Sequence, residues 1–218
     1  MKRLLHILLA DDHTILRAGL RLVIEKEPGL AVIAEAADGR TAVQLAAAIQ
    51  PHLAVIDIAM PELNGIEATR QILAASPKTA IVILSMHSDE TYILRALRAG
   101  ALAYLLKDSA EADLISAIGA VAAGRSFFSP KVTELLRGDH VRKLRSSDRE
   151  DSFELLSPRE REILQLIGEG WANKEIANRL HLSVYTVETH RARILEKLDL
   201  HSAAELILYA VRKGIAHV

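Results

Sequence analysis

Four apolar runs in this chain end on side chains able to do chemistry. Asp57 follows Leu53-Ala54-Val55-Ile56, Asp11-Asp12 follow the run from Leu4 to Ala10, Ser85 follows Ala80 to Leu84, and Lys107 follows Ala103 to Leu106. Short apolar runs rich in β-branched residues read as strands buried on both faces, as in a parallel sheet. In open α/β sheets, ligands gather at the carboxyl ends of the strands. A lone Asp after a strand usually just begins a loop. Carboxylates, a hydroxyl and an ammonium at four matching ends make a site, with Asp57 where a reactive group is expected.

The elements that must position these groups alternate strictly. Leu16, Leu20, Val23 and Ile24 form one helical face, closed by Pro28-Gly29. Leu30 to Ala36 reads as a strand, Asp38-Gly39 as a turn, and Ala42, Leu45, Ala46 and Ile49 as a second helical face. Met60-Pro61 stops the Asp57 strand, Asn64-Gly65 turns the chain, and Gly65 to Ala75 is helical up to Ser76-Pro77. Helices over 89–99 and around Leu114, Ile115, Ile118 and Val121 complete five strand-helix pairs. The expected fold is α/β: a five-stranded, doubly wound parallel sheet of order 2-1-3-4-5 over 1–125.

Residues 126–152 read as a semi-flexible linker with a short helix at Lys131 to Leu136. Residues 153–218 read as an all-α domain of four helices. Ser157-Pro158-Arg159-Glu160 is a capping box with Pro at the first helical position. A short helix from Lys174 to Leu180, a turn at His181-Leu182 and a helix capped by Ser183 make a helix-turn-helix pattern, and Ser202 with Glu205 opens a last helix. On pattern alone, a helical bundle with no nucleic-acid partner stands equally well.

Composition excludes several classes. The 218 residues suffice for two cores, and the formal net charge of -1 leaves no general footprint for a polyanion. No cysteine is present, so disulfides, thiol catalysis and thiolate metal sites are absent, which fits a reducing cytoplasm. The first apolar run is too short for a signal or spanning helix. The nine histidines lack a spacing such as H-E-x-x-H and read as solvated or hydrogen-bonded side chains.

Leu9-Ala10-Asp11-Asp12-His13, Asp57-Ile58-Ala59-Met60-Pro61 with Asn64-Gly65, Leu84-Ser85 and Tyr104-Leu105-Leu106-Lys107-Asp108 resemble the receiver domain of two-component response regulators. Leu156-Ser157-Pro158-Arg159-Glu160, Asn173-Lys174-Glu175-Ile176-Ala177 and Thr186-Val187-Glu188-Thr189-His190 with Lys197-Leu198 resemble a LuxR-type helix-turn-helix. Together they resemble the NarL/FixJ type of transcriptional regulator. The resemblance implies that Asp57 accepts a phosphoryl group from a sensor histidine kinase, and that Asp11, Asp12, Asp57 and the backbone carbonyl of Ala59 hold Mg²⁺. It implies that Lys107 and Ser85 engage the phosphoryl oxygens, that Ser85 and Tyr104 form the switch, and that the protein is not an enzyme beyond slow autodephosphorylation. It also points to a homodimer on phosphorylation or DNA binding, through the helix from Ser202 to Arg212.

For DNA reading, Tyr185, Glu188, Thr189 and Ala192 fall on the outward face of the third helix, flanked by Arg191 and Arg193. Glu188 suits a cytosine amino group and Thr189 a thymine methyl, whereas Lys174, Arg191, Arg193 and Lys197 suit phosphates of double-stranded promoter half-sites. Residues 153–218 carry nine basic and nine acidic residues, so dimerisation matters for holding a polyanion. Three positions depart from the resembled pattern: Ala103 before the aromatic, Ala172 where a capping serine is common, and Tyr185 where a basic residue is frequent. Two rival readings remain. A phosphohydrolase of the haloacid dehalogenase type needs a second carboxylate where this chain has Ala59, and an interaction protein would use the helical module on a protein surface.

Overall fold

The computed structural model describes residues 4–137 and 152–216. The chain divides into two compact units, 1–141 and 142–218. The first is a single parallel sheet of order β2-β1-β3-β4-β5-β6. Its strands are β1 (Leu5–Ala10), β2 (Leu30–Ala36), β3 (Leu53–Asp57), β4 (Ala80–Ser85), β5 (Ala103–Leu106) and β6 (Phe127–Phe128). The helices between and after them are α1 (Thr14–Glu25), α2 (Gly39–Ile49), α3 (Gly65–Ala75), α4 (Glu90–Arg98), α5 (Ala110–Ala122) and α6 (Pro130–Arg137).

The unbroken apolar runs are explained by the two cores they serve. Leu8, Ala10, Ala54, Ile56, Ile81, Ile83 and Tyr104 face one layer with α2, α3 and α4. Ile7, Leu9, Leu53, Val55, Val82, Leu84 and Leu105 face the other layer with α1 and α5. Successive strand residues point to opposite faces, so a sheet covered on both sides needs apolar residues at every position.

The sheet departs from expectation at its edge. Six strands are present instead of five, because Ala103 pairs with Phe127 and Tyr104 with Phe128. Residues 127–137, read from sequence as linker, are therefore built onto the first unit, with Val132 of α6 fully buried against it. Two residues are too short to show a strand periodicity, and only their pairing with β5 reveals the strand. Residues 138–151, the greater part of the expected linker, lie outside the described residues.

Local side chains start the helices. Asp38, read as a turn residue, caps α2 by accepting from Thr41 N–H at 2.8 Å. Asn64 caps α3 by accepting from Ile66 and Glu67 N–H groups. A Cβ on Gly65 would lie 2.0 Å from the Asp57 carbonyl oxygen, so only glycine lets α3 begin that close to the end of β3.

The second unit contains α7 (Pro158–Gly168), α8 (Asn173–Leu180), α9 (Val184–Leu198) and α10 (Ala203–Arg212). Ile163, Leu164, Ile167, Ile176, Leu180, Val187, Ile194 and Leu206 form its core. The capping box at Ser157 and Glu160 is present in both directions. At Ser202 it is altered: Ser202 Oγ accepts from Glu205 N–H, but the Glu205 carboxylate reaches back to His201 N–H. At Ala172 no side chain caps α8. The methyl group cannot accept a bond, so only the Glu175 carboxylate contributes, accepting from Ala172 N–H at 2.8 Å. His181, in the left-handed region at φ 53°, makes the turn between α8 and α9.

Candidate functional site

The parallel register brings the predicted strand ends together. β3 lies between β1 and β4, and Asp57 and Ser85 fall at the matching ends of β3 and β4. Lys107 Nζ lies 2.7 Å from Asp57 Oδ2 and 2.9 Å from Asp11 Oδ2. Asp11 and Asp57 are buried, while Asp12 is partly exposed. Burial pushes the Asp57 carboxyl up, opposed by the hydrogen bond and charge of Lys107. Burial also works against the Lys107 ammonium, but its bonds and attraction to Asp57 and Asp11 outweigh burial and raise its pKa.

One ligand atom each from Asp11, Asp12, His13 and Asp57 lies within 4.8 Å of all the others. Asp57 Oδ1 is buried with no hydrogen-bond partner of normal geometry, whereas Asp12 Oδ1 lies 2.7 Å from His13 Nδ1. An orphaned carboxylate oxygen deep in an acidic cluster fits a hard divalent cation such as Mg²⁺, which takes oxygen ligands. Ala59 follows two residues after Asp57, at the mouth of the same strand end.

Ser85 and Tyr104 sit in one hydrogen-bonded loop. Ser85 Oγ accepts from His87 N–H at 2.9 Å, and the Tyr104 hydroxyl donates to the His87 carbonyl at 2.8 Å. Tyr104 is fully buried, and burial pushes its phenol far up. The His87 ring stacks on Tyr92 of α4 with centroids 4.2 Å apart.

Three participants were missed by sequence reasoning. His13 joins the acidic cluster, and its adjacency to Asp11-Asp12 was the available signal. Arg17 donates to the Asp11 carbonyl at 2.6 Å and to Glu35 at 3.1 Å, holding the turn that carries the acidic pair. His87 carried no sequence signal, since its role comes from its main chain.

In the second unit, α9 presents Tyr185, Glu188, Ala192 and Arg193 as exposed residues, with Tyr185 78% accessible. Arg191 and Thr189 are half-buried, and the Thr189 hydroxyl donates back to the Tyr185 carbonyl. Lys174 is exposed at the first turn of α8. Lys197 stands apart: its ammonium is engaged inside the domain, 2.7 Å from Glu160 Oε2 and 3.3 Å from the Leu155 carbonyl.

Comparison with known proteins shows the family of the chain. Residues 7–119 match the family described as response regulator receiver domain, and residues 154–210 match bacterial regulatory proteins of the luxR family. The chain belongs to the NarL/FixJ-type response regulators. This response regulator is 40% identical over 212 residues to the oxygen regulatory protein NreC of Staphylococcus carnosus (strain TM300), covering 96% of this chain and 98% of that one. Its structure is similar to a LuxR-family two-component response regulator from Aurantimonas sp. SI85-9A1, at TM-score 0.61 and 41% identity, over 63% of this chain and 98% of that one. It is also similar to RcsB in the RcsB–DNA complex, at TM-score 0.58 and 26% identity, over 95% of this chain and 98% of that one. The response regulator thus joins a receiver to a LuxR-type DNA-binding domain and acts as a transcriptional regulator. Among its described residues, no helix is long and apolar enough to cross a membrane.

Proposed function

We propose that Asp57 is the phosphoryl acceptor of this response regulator, and that its phosphorylation by a sensor histidine kinase in the cytoplasm switches DNA binding. The observation that carries this reading is Lys107, held between Asp57 and Asp11 at the carboxyl edge of the sheet. A carboxylate oxygen of Asp57 forms a bond to phosphorus as the donor's bond to phosphorus breaks, an in-line displacement governed by positioning and charge. Asp11, Asp12, Asp57 and the Ala59 carbonyl would hold Mg²⁺, which when bound offsets the negative charge of pocket and phosphoryl group. Lys107 is placed to turn from Asp57 Oδ2 to the new phosphoryl oxygens. No carboxylate stands at Ala59 to act as a general acid for turnover, so the acyl phosphate is lost only slowly to water.

The switch begins at Ser85. Its hydroxyl accepts from His87 N–H, and drawing it to a phosphoryl oxygen disturbs the residue whose carbonyl holds Tyr104. The consequence is a changed β4–α4 loop, favouring a homodimer that binds promoter DNA. Leu208, Ile207 and Val211 form an exposed apolar stripe on α10 that suits the dimer contact. RcsB, a structural relative, is described in complex with DNA as dimers, which supports this reading of α9 and α10.

The test is labelling by acetyl phosphate or a kinase with Mg²⁺. One phosphoryl group is expected on the wild-type chain and none on Asp57→Asn. Lys107→Ala is expected to label poorly and to leave DNA affinity unchanged by phosphorylation. Equal labelling of Asp57→Asn would overturn the assignment.

A further inference from the structure

Residues 127–137, which form β6 and α6, are seated on the sheet along a short seam. Phe127 N–H donates to the Leu102 carbonyl at 3.1 Å and Ser129 N–H to the Tyr104 carbonyl at 3.3 Å. Two residue pairs make the whole β5–β6 ladder. α6 has eight residues, too few to persist as a helix in water without docking. Among its described side chains only Val132 is buried, in the layer that holds Ala96, Ala99 and Tyr104.

The seam has two features of a seat that can open. Ser129 precedes α6 as Ser157 precedes α7, each followed by Pro, yet only Ser157 caps its helix. Ser129 Oγ has no hydrogen-bond partner although the residue is 1% exposed. A buried hydroxyl left in that state opposes the arrangement that buries it. Beside α6 lies a cavity of about 630 Å³, lined by Asp113 of α5 and Glu134 of α6 together with Phe127, Phe128, Pro130 and Thr133. Carboxylates thus flank a gap where close packing would be needed to hold α6 down.

Tyr104 joins this seam to the carboxyl edge of the sheet. Its main-chain carbonyl accepts from Ser129 N–H, while its phenol donates to the carbonyl of His87, whose N–H donates to Ser85 Oγ. We propose that β6 and α6 form a detachable strap, seated over β5 and α4 while Asp57 is unmodified and released when it is phosphorylated. This rests on reading Asp57 as the phosphoryl acceptor. Drawing Ser85 away from His87 N–H shifts the His87 carbonyl and leaves the buried Tyr104 hydroxyl without its acceptor. The phenol regains hydrogen bonds by reaching water, and α6, bonded through Ser129 to the same tyrosine, is the part of the covering layer with least to hold it.

The experiment is amide hydrogen exchange of the full-length chain, before and after treatment with acetyl phosphate and Mg²⁺, for wild type, Ser129→Ala and Val132→Asp. Phosphoryl occupancy is read by intact mass in the same samples. The amides of 127–137 are expected to be protected in unmodified wild type, and phosphorylation is expected to speed their exchange by roughly tenfold or more while β3 and β4 stay protected. Ser129→Ala, which removes the orphaned hydroxyl, is expected to slow exchange over 127–137 and blunt the response. Val132→Asp is expected to free 127–137 without phosphate and to leave β3 and β4 protected. Unchanged exchange over 127–137 in phosphorylated wild type would overturn the proposal. Loss of protection throughout the sheet in Val132→Asp, with no slowing in Ser129→Ala, would also overturn it and make β6 and α6 an integral part of the core. Wild type that took up no phosphoryl group would instead remove the Asp57 reading, and the two variants would still decide whether the strap detaches.

Discussion

Lys197 Nζ lies 2.7 Å from Glu160 Oε2, tying the last turn of α9 to the capping box that starts α7. The same ammonium donates to the Leu155 carbonyl. Lys197 was expected to contact DNA phosphate; we propose that these bonds make it a strut that aims α9. Lys197→Ala is expected to lower stability by about 1 kcal/mol, a charged hydrogen bond discounted because the lysine is 38% exposed. Urea unfolding followed by Trp171, the single tryptophan, reads the loss. The salt dependence of DNA binding should keep its slope, whereas a lost phosphate contact would flatten it by about one unit.

The pH dependence of the helical domain follows from the same pair. Burial pushes the Glu160 carboxyl up, but hydrogen bonds from Lys197 and Ser157 outweigh it and hold the pKa below the ordinary 4.5. A carboxyl depressed on folding contributes stability above its unfolded pKa and loses it as pH falls through the folded value. Trp171-detected stability should fall on acidification below about pH 4.5. Glu160→Gln should show a smaller acid loss, and an identical profile would remove Glu160 as the cause.

Asp57 has the opposite sign. Burial raises its carboxyl above the ordinary 3.8 despite Lys107, so its charge destabilises the folded receiver at neutral pH. Stability is therefore gained as pH falls through the raised folded value towards the unfolded one. Asp57→Asn should be more stable than wild type at pH 7 without divalent cations, and the gap should narrow on acidification. Mg²⁺ at ten times its dissociation constant should stabilise wild type by about 1.4 kcal/mol. Thermal unfolding with and without the cation checks both signs.

Gly65 sets how close α3 comes to Asp57. A Cβ would meet the Asp57 carbonyl carbon at 2.8 Å as well as its oxygen, and both are backbone atoms. Gly65→Ala should cost about 1–3 kcal/mol and slow phosphorylation, since the shift falls on the proposed acceptor residue. Normal labelling in a destabilised variant would separate packing from positioning.

On α9, Arg193 and Glu188 are both exposed and should behave differently. Arg193→Ala should weaken all DNA sequences alike and reduce the salt slope by about one unit. Glu188→Ala should relax preference at one base position by about 1–3 kcal/mol. Binding to a randomised site library at two salt concentrations distinguishes them.

What the sequence determined by itself was local periodicity and its punctuation. Unbroken runs such as Leu53 to Ile56 specify strands covered on both faces, and polar residues at their ends specify the site edge, because neither depends on distant partners. Capping signals at Asn64, Ser157 and Ser183 likewise act within three residues. Tertiary structure decided which distant groups meet. Phe127-Phe128 becomes a strand only by pairing with β5, and Tyr104 is buried because α4 and α6 close over it. Lys197 pairs with Glu160, 37 residues away, where α7 begins. His13 comes near Asp57 only once β1 and β3 lie side by side. A side chain's type limits the partners it accepts, but the fold alone selects among them, because those partners are distant in sequence.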